Sequence, residues 1–207
     1  MHNAYAWCCV RAQIFMNVVA SIIARLGSKR LPYKNLLPFA GKPLIGHGLD
    51  ILRQCNRVDR IVVSTESELI ARVAMDFGAE VLRRPESLAG DRVPSIPVFQ
   101  SVVERFPCNI HVNYNINFPL CDPAVIDRAI ELVEQDLLAG NPRAEYLSDP
   151  VAVWAQSAQC LAQYGDPWAI TAKRFEDLRA GAIDIHSEAD LLEIYRESQT
   201  VVPAGWN

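Results

Sequence analysis

Val18-Val19-Ala20-Ser21-Ile22-Ile23-Ala24 runs straight into Arg25-Leu26-Gly27-Ser28-Lys29-Arg30-Leu31-Pro32-Tyr33-Lys34-Asn35. The first seven residues are nearly all apolar and rich in β-branched side chains, the pattern of a strand buried on both faces. The loop that follows puts Arg25, Lys29, Arg30 and Lys34 around a Gly-Ser turn. In parallel α/β sheets ligands bind at the carboxyl ends of the strands, so this loop is a candidate anion site. Gly27 permits close backbone approach, and successive amides there can form an anion-binding concavity. Each cationic side chain adds a charge-assisted hydrogen bond of roughly 1.5–3 kcal/mol. Two familiar phosphate devices are absent: no G-x-G-x-x-G follows the strand, and Gly41-Lys42 is followed by Pro43 rather than Ser or Thr.

Outward from this strand the chain alternates. The spacing predicts a helix from Pro43-Leu44 to Cys55, with Leu44, Gly48, Ile51 and Leu52 on one face, and a strand over 60–64. Thr65 with Glu68 reads as a capping box for a helix ending near Phe77, with Gly78 past its end. A short strand over 80–82, a helix over 95–106 and a strand over 110–114 follow. Asp122-Pro123 then opens a helix with Val125, Ile126, Ala129, Ile130 and Val133 at helical spacing, ended by Gly140-Asn141-Pro142. Beyond it the expectations are a helix over 150–163, strands over 168–171 and 181–185, and a helix over 187–198 capped by Ser187. Strands and helices alternating in this way give an α/β fold, a parallel sheet covered by helices. The expected organisation is a poorly ordered extension over 1–16, with Met16 as the natural start, one domain over 17–200 and a tail over 201–207.

The 207 residues are half hydrophobic and about a fifth charged, a globular composition. Net charge is −4, but residues 1–49 hold six Lys or Arg and no Asp or Glu, and the rest holds 14 basic and 24 acidic side chains. An acidic protein with one basic stretch holds a small anion rather than coating nucleic acid. No apolar run reaches the roughly 18 residues of a membrane span. Six cysteines show neither C-x-x-C nor zinc-type spacing with His, so free thiols in a reducing cytoplasm are expected.

The segments Ile22-Ile23-Ala24-Arg25-Leu26-Gly27-Ser28-Lys29-Arg30-Leu31-Pro32, Lys34-Asn35 and Gly41-Lys42-Pro43-Leu44-Ile45 resemble the signature of the sugar cytidylyltransferases, which include the CMP-sialic acid and CMP-KDO synthetases. Val63-Ser64-Thr65-Glu66-Ser67 resembles VSTDS, Arg84-Pro85-Glu86-Ser87-Leu88-Ala89-Gly90-Asp91 resembles RPxELAxD, Phe118-Pro119-Leu120 sits where the family has SPL or EPL, and Ile183-Asp184-Ile185-His186 resembles IDID. The resemblance runs from about Asn17 to Ser198. It implies an α/β fold of nucleotidyltransferase type, a Rossmann-like mainly parallel sheet with helices on both faces, and an enzyme that joins CTP to the anomeric hydroxyl of an acidic sugar, such as a sialic acid or KDO, for surface polysaccharide synthesis. It implies catalytic roles for Arg25 and Lys34 and nucleotide contacts from Ser28, Lys29, Asn35, Arg84 and Ser95. It further implies sugar contacts from Asn115 and Asn117, a Mg²⁺ or Mn²⁺ ion at Asp184 and His186, and a cytoplasmic homodimer.

The chain departs from that pattern at Asn117, in place of Thr or a metal-binding Asp, at Cys121, in place of Arg, and at His186, in place of the second Asp. Magnesium prefers oxygen ligands and imidazole suits softer metals. The stretch between Asp136 and Trp168 also lacks a long dimerisation insert. These departures keep open a different nucleotide or sugar, or a nucleotide-binding relative that has lost turnover.

Overall fold

In the computed structural model, residues 16–165 and 171–198 are described. In chain order the elements are β1 (Val18–Ile23), β2 (Pro38–Phe39), β3 (Lys42–Pro43), α1 (Leu44–Gln54), β4 (Arg60–Thr65), α2 (Glu68–Asp76), β5 (Glu80–Arg83), α3 (Ser95–Arg105), β6 (Ile110–Tyr114) and α4 (Pro123–Leu138). They continue with β7 (Glu145–Asp149), β8 (Val153–Ser157), α5 (Ala158–Ala162), β9 (Lys173–Glu176) and α6 (Glu188–Glu197).

The main sheet has the order β5-β4-β1-β6-β8-β7-β9. The first four strands are parallel, as the apolar runs require, and β8 joins β6 antiparallel. Alternate residues of β1 face opposite layers. Val18, Ala20 and Ile22 pack in the larger core with Ile45, Leu49 and Leu52 of α1 and Ile126, Ala129 and Ile130 of α4. Val19 packs with Val102 of α3 on the other face. The expected mainly parallel sheet with helices on both faces is therefore present. The five apolar positions expected along α4 are all buried, and Asp122 caps it by accepting from the Ala124 amide.

Several expectations are corrected. The cap of α2 is Ser67, whose side chain accepts from Ile70 N, because β4 continues through Thr65; Thr65 Oγ1 instead accepts from Ser67 N. The helix expected over 150–163 is a strand and a short helix. Its first half is held in the sheet by five register positions against β6, and only Ala158–Ala162 is helical. β7 and β9 were not anticipated, since Glu145 and the charged Lys173–Glu176 conceal them. Residues 181–185 are not a strand; Ile185 N makes a single ladder-like bond to Asn117 O at 3.0 Å. The strand expected over 168–171 lies almost wholly outside the described residues, as do the expected extension before Met16 and the tail over 201–207.

Candidate active site

A cavity of about 650 Å³ opens at the carboxyl ends of β1 and β6. Its wall includes Arg25, Ser28, Lys29, Arg30, Lys34 and Asn35 from the loop after β1, with Asp91 ahead of α3 and Ser95 at its first turn. Ile23, Phe99, Asn113–Asn117, Val151–Trp154 and His186 complete it. Of the residues singled out from sequence, Arg84 and Asp184 do not line it.

The loop is braced by both side-chain and backbone hydrogen bonds. The Leu26 amide donates to Glu66 Oε1 at 2.8 Å, and the Ser28 amide to Leu26 O at 2.9 Å. Those two amides are therefore committed within the protein, while Ser28 and the loop's cationic side chains line the cavity. Asn35 Nδ2 donates to Arg25 O at 2.8 Å, so Asn35 ties the far end of the loop to its beginning. Tyr33 takes a left-handed conformation, φ 56°, immediately before Lys34. Gly27 has no such requirement: its φ is not positive, and a Cβ there meets nothing within 4 Å.

Arg25 and Lys29 both pair with Asp91. Hydrogen bonds from Lys29 and then Arg25 hold the Asp91 carboxyl below the usual range. In the sequence Asp91 stands only at the end of the RPxELAxD-like motif, and an acid downstream of a cation cluster is the signal for its pairing. Lys34 is the most perturbed cation of the site. Burial lowers its pKa to about 8, Asp184 opposes that shift, and Arg30 and Arg25 add to it. Its ammonium donates to Asn117 Oδ1 and, at 3.2 Å, to Ile185 O.

Arg84 is only 8% exposed. Its guanidinium donates to Ser64 Oγ at 3.3 Å, to Ala24 O at 3.4 Å and to Ser64 O, binding the ends of β1 and β4 together under the loop. Asn115 Oδ1 accepts from Asn117 N at 3.2 Å, and its Nδ2 donates to Val151 O at 3.3 Å.

His186 lies between Arg30 and Asp184. Arg30 Nη2 is 3.0 Å from Nδ1, and Nε2 is 2.9 Å from Asp184 Oδ2. A guanidinium only donates, so Nδ1 accepts and Nε2–H points at the carboxylate. Both ring nitrogens are thus engaged. Asp184 Oδ1 is buried with no hydrogen-bond partner. Among the described residues no cluster of three His, Cys, Asp or Glu could hold a metal. Magnesium is commonly bound by one or two carboxylates with substrate phosphates and waters. One unpartnered carboxylate oxygen beside a cation-lined cavity fits that mode, and a metal cage made by protein alone does not.

Residues 19–161 match the family model described as Cytidylyltransferase. The chain belongs to the cytidylyltransferase family. It is 39% identical over 118 residues to the 3-deoxy-manno-octulosonate cytidylyltransferase of Chlorobium chlorochromatii (strain CaD3), covering 56% of this chain and 45% of that one. It is 51% identical over 77 residues to the CMP-N,N'-diacetyllegionaminic acid synthase of Legionella pneumophila subsp. pneumophila (strain Philadelphia 1), covering 37% of this chain and 33% of that one. The matches thus span less than half the length of these curated relatives. Among solved structures, CMP:2-keto-3-deoxy-manno-octonic acid synthetase complexed with CTP superposes with a TM-score of 0.74 at 16% identity, covering 88% of this chain and 98% of that one. That likeness establishes that the two chains share a fold.

Proposed function

We propose that this cytidylyltransferase joins CTP to the anomeric hydroxyl of an acidic nonulosonic-type sugar, giving a CMP-sugar and pyrophosphate for surface polysaccharide synthesis. The observation that carries the reading is the cavity itself. The cations of the β1 loop and three neutral asparagines at the end of β6 share one wall, on a chain of this family. CTP and an anionic sugar are both negatively charged, and the loop supplies the opposing charge.

In this reading the sugar oxygen attacks the α-phosphorus, the new P–O bond forms, and the bond to pyrophosphate breaks in line. Such transfers depend on positioning and charge neutralisation, with no covalent intermediate required. Arg25, Ser28 and Lys29 hold the triphosphate once Asp91 has yielded the two cations. Lys34 lies against the α-phosphate, and Asn35 keeps the loop in shape. Ser95 meets the cytosine; Arg84 serves the same end by fixing the strand ends beneath it. Asn115 and Asn117 contact the sugar. Asp184 would hold a Mg²⁺ or Mn²⁺ ion, with His186 orienting the carboxylate. When bound, that ion neutralises charge on the phosphate oxygens.

The relatives named as CMP-sugar synthases and the CTP complex of the structural neighbour support CTP and an acidic sugar as substrates. A reducing cytoplasm, where thiols stay free, is the expected compartment. A homodimer is the accompanying expectation, read by sedimentation equilibrium.

The test is pyrophosphate release with CTP and Mg²⁺ or Mn²⁺ against KDO, sialic acid and related nonulosonic acids, with GTP and UTP as controls. CTP-specific release with one sugar is expected. Arg25→Ala should weaken CTP binding by about tenfold or more, the value of one charge-assisted hydrogen bond. CTP binding without release across all sugars overturns the transferase and leaves a nucleotide-binding relative. Absence of CTP binding overturns the reading altogether.

A further inference from the structure

Asn113 lies in β6, in register with Ser21 of β1 on one side and Trp154 of β8 on the other. Its Nδ2 donates to Ser21 O at 3.1 Å and to Ser21 Oγ at 3.2 Å. A backbone carbonyl only accepts, so turning the amide round would set two oxygens against each other. The arrangement continues inward. Ser21 Oγ is 2.8 Å from His111 Nε2, and His111 Nδ1 is 3.2 Å from Gln156 Oε1. Ser21, His111 and Gln156 are fully buried. Burial keeps the imidazole neutral. With Nδ1–H donated to Gln156, Nε2 accepts the Ser21 hydroxyl proton, and the hydroxyl oxygen faces Asn113.

The orientation of Asn113 is thus set from beneath: nitrogen toward the protein, Oδ1 toward the cavity that Asn113 lines. No described residue donates to Oδ1, and it is not among the buried unpartnered atoms. The neighbouring groups offer carbon surface. Trp154 gives its indole N–H to Glu145 Oε1 at 2.9 Å, and its ring meets Phe99 edge to face at 5.4 Å. Both rings line the cavity. Site groups prearranged by a buried network discriminate strongly, because a ligand lacking the matching donor leaves the acceptor unpaired.

We propose that Asn113 is a specificity-determining residue whose Oδ1 accepts a hydrogen bond from a hydroxyl or N–H of the substrate seated against Phe99 and Trp154. This rests on the cavity being the site of CTP and its acceptor sugar. A ribose hydroxyl and a sugar hydroxyl or N–H share the required chemistry, and the test separates them.

Asn113→Leu keeps the side-chain size and removes the acceptor. Circular dichroism and thermal melting establish its folding. If it does not fold, Asn113→Ser, smaller and too short to reach, is read in the same way. CTP affinity is measured by calorimetry, with 2′-deoxy- and 3′-deoxy-CTP as comparison ligands, and KM is measured for whichever sugar the wild type accepts. A donor on ribose gives about a tenfold loss of CTP affinity in the variant, with one deoxy analogue losing as much on the wild type and nothing further on the variant. A donor on the sugar leaves CTP affinity unchanged and raises the sugar KM about tenfold. A folded variant with both constants unchanged overturns the proposal while the transferase reading stands. Wild type that binds CTP but turns over no sugar ends the transferase reading, and Asn113 then stands or falls on the CTP comparison alone. Wild type that binds no CTP overturns both.

Discussion

Lys34 carries its charge under strain from its surroundings. Burial lowers its pKa to about 8, and Arg30 and Arg25 push in the same direction. The charged form binds phosphate, and that form is lost as pH rises through 8. CTP affinity should hold from pH 6.5 to about 7.5 and then fall, approaching tenfold per pH unit, the limit for one linked proton. Calorimetric titrations from pH 6.5 to 9.5 measure this. An affinity flat to pH 9.5 would show that Lys34 does not meet the phosphates. Gly27 makes a complementary case. A methyl group there meets no protein atom within 4 Å, so Gly27→Ala should change stability by no more than about 0.5 kcal/mol. If the triphosphate uses that open space, the same variant should bind CTP several-fold more weakly. Equal affinity would place the phosphates elsewhere. The loop cations were visible in the sequence because charge density can be counted, and Asn115 and Asn117 through the family resemblance, whereas nothing in the sequence marked Asn113. The commitments of Glu66, Asp91 and Asn113 were not visible, since each depends on a partner at least 40 positions away.

Elements whose signal is local were legible. β1, β6, α1 and α4 follow from apolar runs and helical spacing, and α6 from the Ser187–Asp190 capping box, which is fully formed. Elements decided by a neighbour were not. The Ala-rich stretch ending in α5 suits a helix by composition, yet pairing with β6 draws Val153–Ser157 into the sheet. Context overrode propensity there. β9 is an edge strand whose side chains are mostly exposed, so no apolar alternation announced it. The corrected cap of α2 is testable at this scale. Ser67 Oγ accepts from the Ile70 amide, and Ser67→Ala should cost about 1 kcal/mol, a fall of roughly 2–4 °C in Tm. Thr65→Ala removes a bond to the amide of the cap residue but none to the helical amides that the cap serves. An equal loss from Thr65→Ala alone, with Ser67→Ala silent, would return the cap to Thr65.

At the scale of the whole molecule, the sheet joins its parallel and antiparallel parts through one buried polar row, and that row sets the acid limit of the fold. His111 is 0% exposed and held between Ser21 and Gln156. Burial pushes its pKa from 6.5 down to about 4. The unfolded chain therefore takes up a proton below pH 6.5 that the folded chain refuses until about pH 4. Stability must fall with falling pH across that window, by at most about 1.4 kcal/mol per unit and about 3 kcal/mol in all. His47, also lowered by burial, acts in the same sense. The paired carboxylates Asp50, Asp91, Asp136, Asp177 and Asp190 have ordinary values of 3.8 and Glu80 one of 4.5, so their losses centre at or below the foot of that window. The decline between pH 6.5 and 4.5 thus belongs to histidine. Urea unfolding at half-unit steps should show it in the wild type and much reduced in His111→Gln, whatever that variant's stability at neutral pH. A wild-type profile level from pH 6.5 to 4.5 would mean that His111 takes its proton inside the folded sheet, with the hydrogen-bonded row beneath Asn113 arranged differently.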